Sequence, residues 1–231
     1  MTGDTQLHSI RAHGGQPTCF RITGVPSHWG TDELEERLKS IDPDIDLTNV
    51  DLSKFPACSY WTKTSTTLLR LNRNTIYFDG WKQSEEKQIL FREQGRTVRL
   101  NIDKDFYGLT PLNNPKIPIT AEFVPLHTLK YQLADISSII AITGLAGHAF
   151  GSWQNRGTDA MWLYDFLPEQ FESARIMTYG YNSSLLEPNG ARLTDHIKNF
   201  TEELCNARYD CPVCSKVRQL YTLDCYADHP L

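Results

Sequence analysis

Residues 138–182 decide how the carboxyl-terminal half folds: SIIAITG (138–144), LAGHAFGSW (145–153), DAMWLYDFLPEQ (159–170) and ARIMTYGYN (174–182) follow one another with short spacers. The first and last segments have the length and the β-branched or aromatic content of buried strands. Between them DAMWLYDFLPEQ has helical spacing, with Trp162, Phe166 and Leu167 expected on its inward stripe. Strand, glycine turn, helix and strand make a βαβ unit with parallel strands. A glycine turn after the first strand can offer backbone N–H groups to a negatively charged oxygen.

Outside that unit, a formal net charge of -5 over 231 residues argues against a nucleic-acid surface, which needs a cationic footprint. Hydrophobic residues make up 40% of the chain, enough for a core and best divided between two domains. No run reaches the roughly 18–20 apolar residues of a membrane-spanning helix, so the chain reads as soluble. The first residues, MTGDTQLHSIRAHGGQPT, lack an apolar signal region, which makes the cytoplasm the default compartment. Six cysteines in such a chain read as free thiols.

Residues 1–18 are polar and expected to be a disordered tail. From Cys19 an α+β pattern starts. CFRITGVP (19–26) alternates like a strand, and Thr31 can cap a helix carrying Leu34 and Leu38 on one face. A short strand is expected over residues 47–52 and another over 66–71. SEEKQILF (84–91) reads as a helix capped by Ser84, and RTVRLNID (96–103) as a strand. That order is the split βαβ arrangement of RNA-recognition-motif (RRM) folds. The aromatic residues that stack bases in such folds are largely missing: Phe20 stands opposite Arg21 and Thr23, and TTLLRLN (66–72) has none. A structural or interaction role therefore outweighs RNA binding. YGLTPLNNPKIPITAE (107–122) reads as an extended linker, and FVPLHTLKYQLADIS (123–137) as a short packed helix.

Taken together, CFRITGVPSHWGTDEL, FYGLTPLN, IIAITGLAGHAFGSW, MWLYDFLP and ARIMTYGYNSSL resemble the amino-terminal region of fungal proteins in which an RRM-like domain precedes a serine-esterase/lipase-like α/β-hydrolase domain, often upstream of NACHT and ankyrin repeats. The resemblance covers residues 19–208. It implies an α/β chain: an RRM-like α+β sandwich over 19–105, a linker and insertion over 106–136, a partial α/β-hydrolase domain over 137–208 and a divergent tail over 209–231. It also implies an endoplasmic-reticulum or mitochondrial association as the alternative to the cytoplasm. Residues 123–135 look inserted relative to that family. Where the family continues into a G-x-S-x-G nucleophile elbow, this sequence changes to RYDCPVCSKVRQLYTLDCYADHPL.

A serine hydrolase needs a nucleophile, a base and oxyanion donors. The resemblance places Gly144, Leu145, Ala146, Gly147 and His148 in the oxyanion loop, with the Leu145 N–H as donor and Thr143 where many relatives carry histidine. No G-x-S-x-G occurs in the 231 residues, so no catalytic residue is assigned and hydrolysis is expected to be negligible. The chain is thus expected to be a truncated relative of a lipid- or ester-directed serine hydrolase, with a non-enzymatic interaction module as the alternative and RNA binding as a weaker third. His148, beside the glycines, is expected to organise the loop. Trp153 and Trp162 are expected to pack. Cys205, Cys211, Cys214, Cys225 and His229 contain one C-x-x-C but no second close ligand couple, so no metal and no cofactor is assigned. Asn182 and Asn199 begin N-x-S/T triplets that read as accidental in a chain without a signal peptide. The expected partners are proteins or a second copy, reached through an open strand edge at Ile139, Ile140, Ala141 and Ile142.

Overall fold

The computed structural model describes residues 18–48, 50, 52–57, 63–71, 75, 77–82, 85–116, 138–155, 157–182 and 193–207. The expectations for the first residues, for 123–137, for the cysteines beyond Cys205 and for the tail lie outside these. The chain mixes helices with one antiparallel and one mixed sheet, an α/β composition.

Strands β1 (Thr18–Pro26), β2 (Leu52–Pro56), β3 (Thr64–Leu71), β4 (Glu86–Glu93) and β5 (Arg96–Asp103) form a sheet in the order β2-β3-β1-β5-β4, with every pairing antiparallel. Helix α1 (Thr31–Ile41) supplies Leu34 and Leu38 to a core containing Phe20, Ile22, Leu69, Leu71, Leu100 and Ile102. Alternation along the strands puts these residues on one face. Gly30, rather than Thr31, occupies the N-cap and makes no side-chain bond, while Asp32 and Glu33 sit in the first turn, where the helix dipole favours them. Gly24 allows a bulge in β1: its φ is +80°, and a Cβ there would lie 2.4 Å from the Arg99 carbonyl oxygen.

The helix expected over 84–91 is instead strand β4. Gln94 and Gly95 have φ of 47° and 78° between the paired residues Glu93 and Arg96, a two-residue hairpin turn with both central residues left-handed. Once that turn forms, Lys87, Ile89 and Phe91 alternate onto the α1 face, and the pairing overrides helical propensity. The short strand expected over 47–52 begins only at Leu52.

The presumed linker contributes β6 (Gly108–Pro111) to a second sheet of order β6-β8-β7, with β7 at Ser138–Ile142 and β8 at Arg175–Gly180. β7 and β8 are parallel, and β6 runs antiparallel to β8. Between β7 and β8 the chain forms a 3-10 turn (Gly151–Trp153) and two four-residue helices, α2 (Trp162–Asp165) and α3 (Leu167–Gln170). The single helix expected there is broken at Phe166, and Pro168 lies in the first turn of α3. The break changes the expected stripe: Leu167 still packs, half-buried, against the core of the second half, but Trp162 and Phe166 turn outward. Met161 and Leu163 are buried, whereas Trp162 and Phe166 are 46% and 54% exposed.

Helix α4 (Leu193–Ala207) packs on the other side of this sheet, where Phe200 meets Tyr179 edge-on and a Glu203 carboxylate oxygen accepts from the Leu109 N–H at 2.6 Å. Burial, then Glu203, push the Tyr179 phenol up to about 12 from its ordinary 10.0. A phenol whose folded pKa is raised stabilises the fold below its unfolded pKa and loses that contribution as pH rises. Alkaline denaturation is therefore expected to show a fall in stability between pH 10.0 and about 12, flattened by Tyr179→Phe. Urea midpoints across that interval check it; identical slopes in both proteins would contradict it.

The two sheets share a core. Phe55 and Leu68, on the face of the first sheet away from α1, pack with Phe106, Leu112, Phe150, Met161 and Ile176 of the second half.

Candidate functional site

The face of the first sheet away from α1 carries two arginines, Arg21 and Arg70, that reach into the second half. Arg21 of β1 donates to Asp103 at 2.9 Å and to the Thr110 hydroxyl at 2.8 Å. Arg70 of β3 donates to Asp165 at 2.8 Å and to the Asp159 carbonyl at 2.8 Å, beneath the rings of Tyr164 and Phe150. Burial works against the Arg70 charge, but its hydrogen bond and coulombic attraction to Asp165 raise its pKa above the ordinary arginine value. Tyr164 also donates to the Ser53 hydroxyl at 2.7 Å and lies edge-on to Phe55. This half of the first sheet is thus occupied from within the chain.

At the carboxyl end of β7 the backbone turns sharply, because the Gly147 N–H donates to the Gly144 carbonyl at 3.0 Å and Ala146 takes a φ of +54°. Gly144, Leu145 and Ala146 are exposed, Leu145 at 69%. Among the described residues no group accepts from the Leu145 N–H. Thr143 is buried, and its Oγ1 has no hydrogen-bond partner among the described residues. Glycine at 147 is dictated by packing: a Cβ would fall 2.9 Å from the Gly144 oxygen and 3.1 Å from the Ser152 Oγ.

His148 fastens this turn. Its Nδ1 accepts from the N–H groups of Phe150 at 3.1 Å and Gly151 at 2.8 Å, which puts the proton on Nε2, donated to the Lys104 carbonyl at 2.6 Å. Its own N–H donates to the Ser152 Oγ at 2.9 Å, and its ring lies edge-on to Phe106. With both ring nitrogens engaged, the imidazole is committed to holding the loop against the chain leaving β5.

Beyond the loop, Trp153 and Trp162 meet edge-on with centroids 6.1 Å apart and, with Phe166, border a cavity of about 320 Å³. The sequence pattern missed this cluster because it assumed one continuous helix; Pro168 was the signal that the stripe would shift. Cys205 is a free thiol, and no group of three His, Cys, Asp or Glu suited to a metal occurs among the described residues. No described helix is long and apolar enough to cross a membrane.

No protein-family model, curated protein or solved structure matches this chain.

Proposed function

We propose that this chain is a relative of lipid- and ester-directed serine hydrolases that carries an oxyanion-loop unit on an RRM-like support and has no catalytic centre of its own. The observation that supports it is the exposed turn of Gly144, Leu145 and Ala146 at the carboxyl end of β7, with the Leu145 N–H unengaged among the described residues and parallel β8 alongside. Oxyanion donors in α/β-hydrolases come from the loop after a strand in this position, together with the N–H following the nucleophile. An oxyanion hole lowers the energy of charge that another group must generate. Since the sequence has no G-x-S-x-G, the purified chain is expected to hydrolyse p-nitrophenyl esters no faster than a heat-inactivated control. Turnover above that control would refute the reading.

The first sheet fits the support role: β1 lies between β3 and β5, β2 flanks β3, and α1 covers one face, as in a split βαβ unit. Arg21, Leu68 and Arg70 on the other face are spent on contacts with the second half, which leaves no base-stacking platform there.

A second reading, an interaction module, is favoured by the edge of β7, which pairs only with β8 among the described residues. Ile139 and Ile140 are half-buried and Ile142 is 48% exposed, a short uncharged edge of the kind that recruits another strand. Ile142→Lys adds charge at the most exposed position and is expected to reduce self-association in light scattering without lowering the melting temperature. A chain that is monomeric before the substitution would count against this edge.

A further inference from the structure

Three aromatic rings frame the cavity beside the oxyanion loop, and two of them, Trp162 and Phe166, are left exposed by helices whose inward residues are Met161 and Leu163. Large rings exposed side by side around a concavity mark a binding surface more than a packing solution. The volume, about 320 Å³, is at the small end of the range for small-molecule sites.

Among the described lining residues the polar part of the wall comes from hydroxyls and amides, with no charged side chain. Internal hydrogen bonds fix the orientation of these groups. The Ser152 Oγ accepts from the His148 N–H, so its own O–H is left to donate. The Gln154 Nε2 donates to the Asp159 carbonyl at 3.1 Å, leaving Oε1 as an acceptor. The Asn155 Oδ1 accepts from the Gly157 N–H at 2.7 Å, leaving Nδ2 as a donor. The loop itself is held by the Asn155 N–H donating to the Ala160 carbonyl and the Asp159 N–H to the Asn155 carbonyl, both at 2.8 Å. The Trp153 Nε1–H is buried and has no partner among the described residues.

We propose that this cavity binds an uncharged, hydroxyl-rich ring of the saccharide class. The apolar C–H face of such a ring stacks on an indole, while its hydroxyls both accept and donate, as Ser152, Gln154 and Asn155 require. An acyl chain would leave those amides and hydroxyls unpaired. Among the described lining residues an anion would find no lysine or arginine, and a cation no carboxylate. The inference is independent of the oxyanion-loop reading, because its readout is binding rather than hydrolysis.

Saturation-transfer NMR on the full chain with cellobiose and with N,N′-diacetylchitobiose tests it, with choline chloride and octanoate as comparators. At least one disaccharide is expected to give a saturable response, weakened about tenfold or more by Trp162→Ala. Phe166→Ala is expected to weaken the same response, giving a second reading should Trp162→Ala fail to fold. Phe171→Ala, which removes a ring 47% exposed outside the cavity, is expected to leave it unchanged. No saturable response to either disaccharide overturns the proposal. So does a response that Trp162→Ala and Phe166→Ala leave intact, or one given only by choline or octanoate.

Discussion

Gly180→Ala is expected to cost about 3 kcal/mol or more and to leave much of the chain unfolded, since that is a large part of an ordinary domain's stability. A Cβ at Gly180 would sit 2.5 Å from the Phe106 carbonyl oxygen and 2.8 Å from the Ala149 Cβ. Neither neighbour can retreat. Phe106 is fully buried between His148 and Phe150, and Ala149 is buried in the same cluster. Relief would require β8 to separate from the chain entering β6 and from the 144–150 loop together. Gly144→Ala is the matched control, because its Cβ would meet nothing within 4 Å, and it is expected to cost less than about 1 kcal/mol. Urea midpoints of the two variants check the contrast. Equal midpoints would mean that the close approach at Gly180 does not exist.

Arg70→Leu is expected to be the next most damaging change, at about 2–3 kcal/mol, below the cost of breaking a fully buried ion pair because Arg70 and Asp165 keep some exposure. The loss has three parts: the Asp165 pair, the bond to the Asp159 carbonyl, and the contacts with Tyr164 and Phe150. Arg70→Lys keeps the charge but loses the planar fork, so it is expected to recover only a minor part. Removing Asp165 in the same protein should add less than it does alone, since the two side chains interact. Full rescue by lysine would show that only charge matters at this contact. An Arg70→Leu protein as stable as the parent would contradict a shared core between the sheets. That shared core also changes what residues 19–105 can do alone: the fragment would expose Phe55 and Leu68, so it is expected to associate or melt without cooperativity.

Much of the second half was legible because its signals are local. SIIAITG and ARIMTYGYN are too apolar to be loops, and a glycine turn followed by a helical stretch between them leaves a parallel pair as the natural arrangement. The antiparallel partner β6 was not legible, because Gly108–Pro111 is four residues long and lies in a Pro- and Asn-rich stretch whose composition argues for a linker. In the first half, SEEKQILF fits helical and alternating patterns alike, and the decision rests on Gln94 and Gly95 taking left-handed backbone in a hairpin turn. Arg21 and Arg70 have no partner visible in the sequence. In the fold they are clamps whose partners Thr110 and Asp165 are 89 and 95 residues away, a separation that periodicity cannot report. For the turn after β7, the glycine spacing located the bend, but the double engagement of His148 required the Lys104 carbonyl, 44 residues away.

Covalent trapping tests most directly whether the proposed oxyanion loop stands without an activated serine. The purified chain is incubated with a fluorophosphonate probe and its intact mass measured, with an active serine hydrolase as the positive control. We expect an unmodified mass, because none of the serines in the sequence sits in a G-x-S-x-G elbow. A stoichiometric single adduct mapped to one serine, and lost on heat denaturation, would contradict the account.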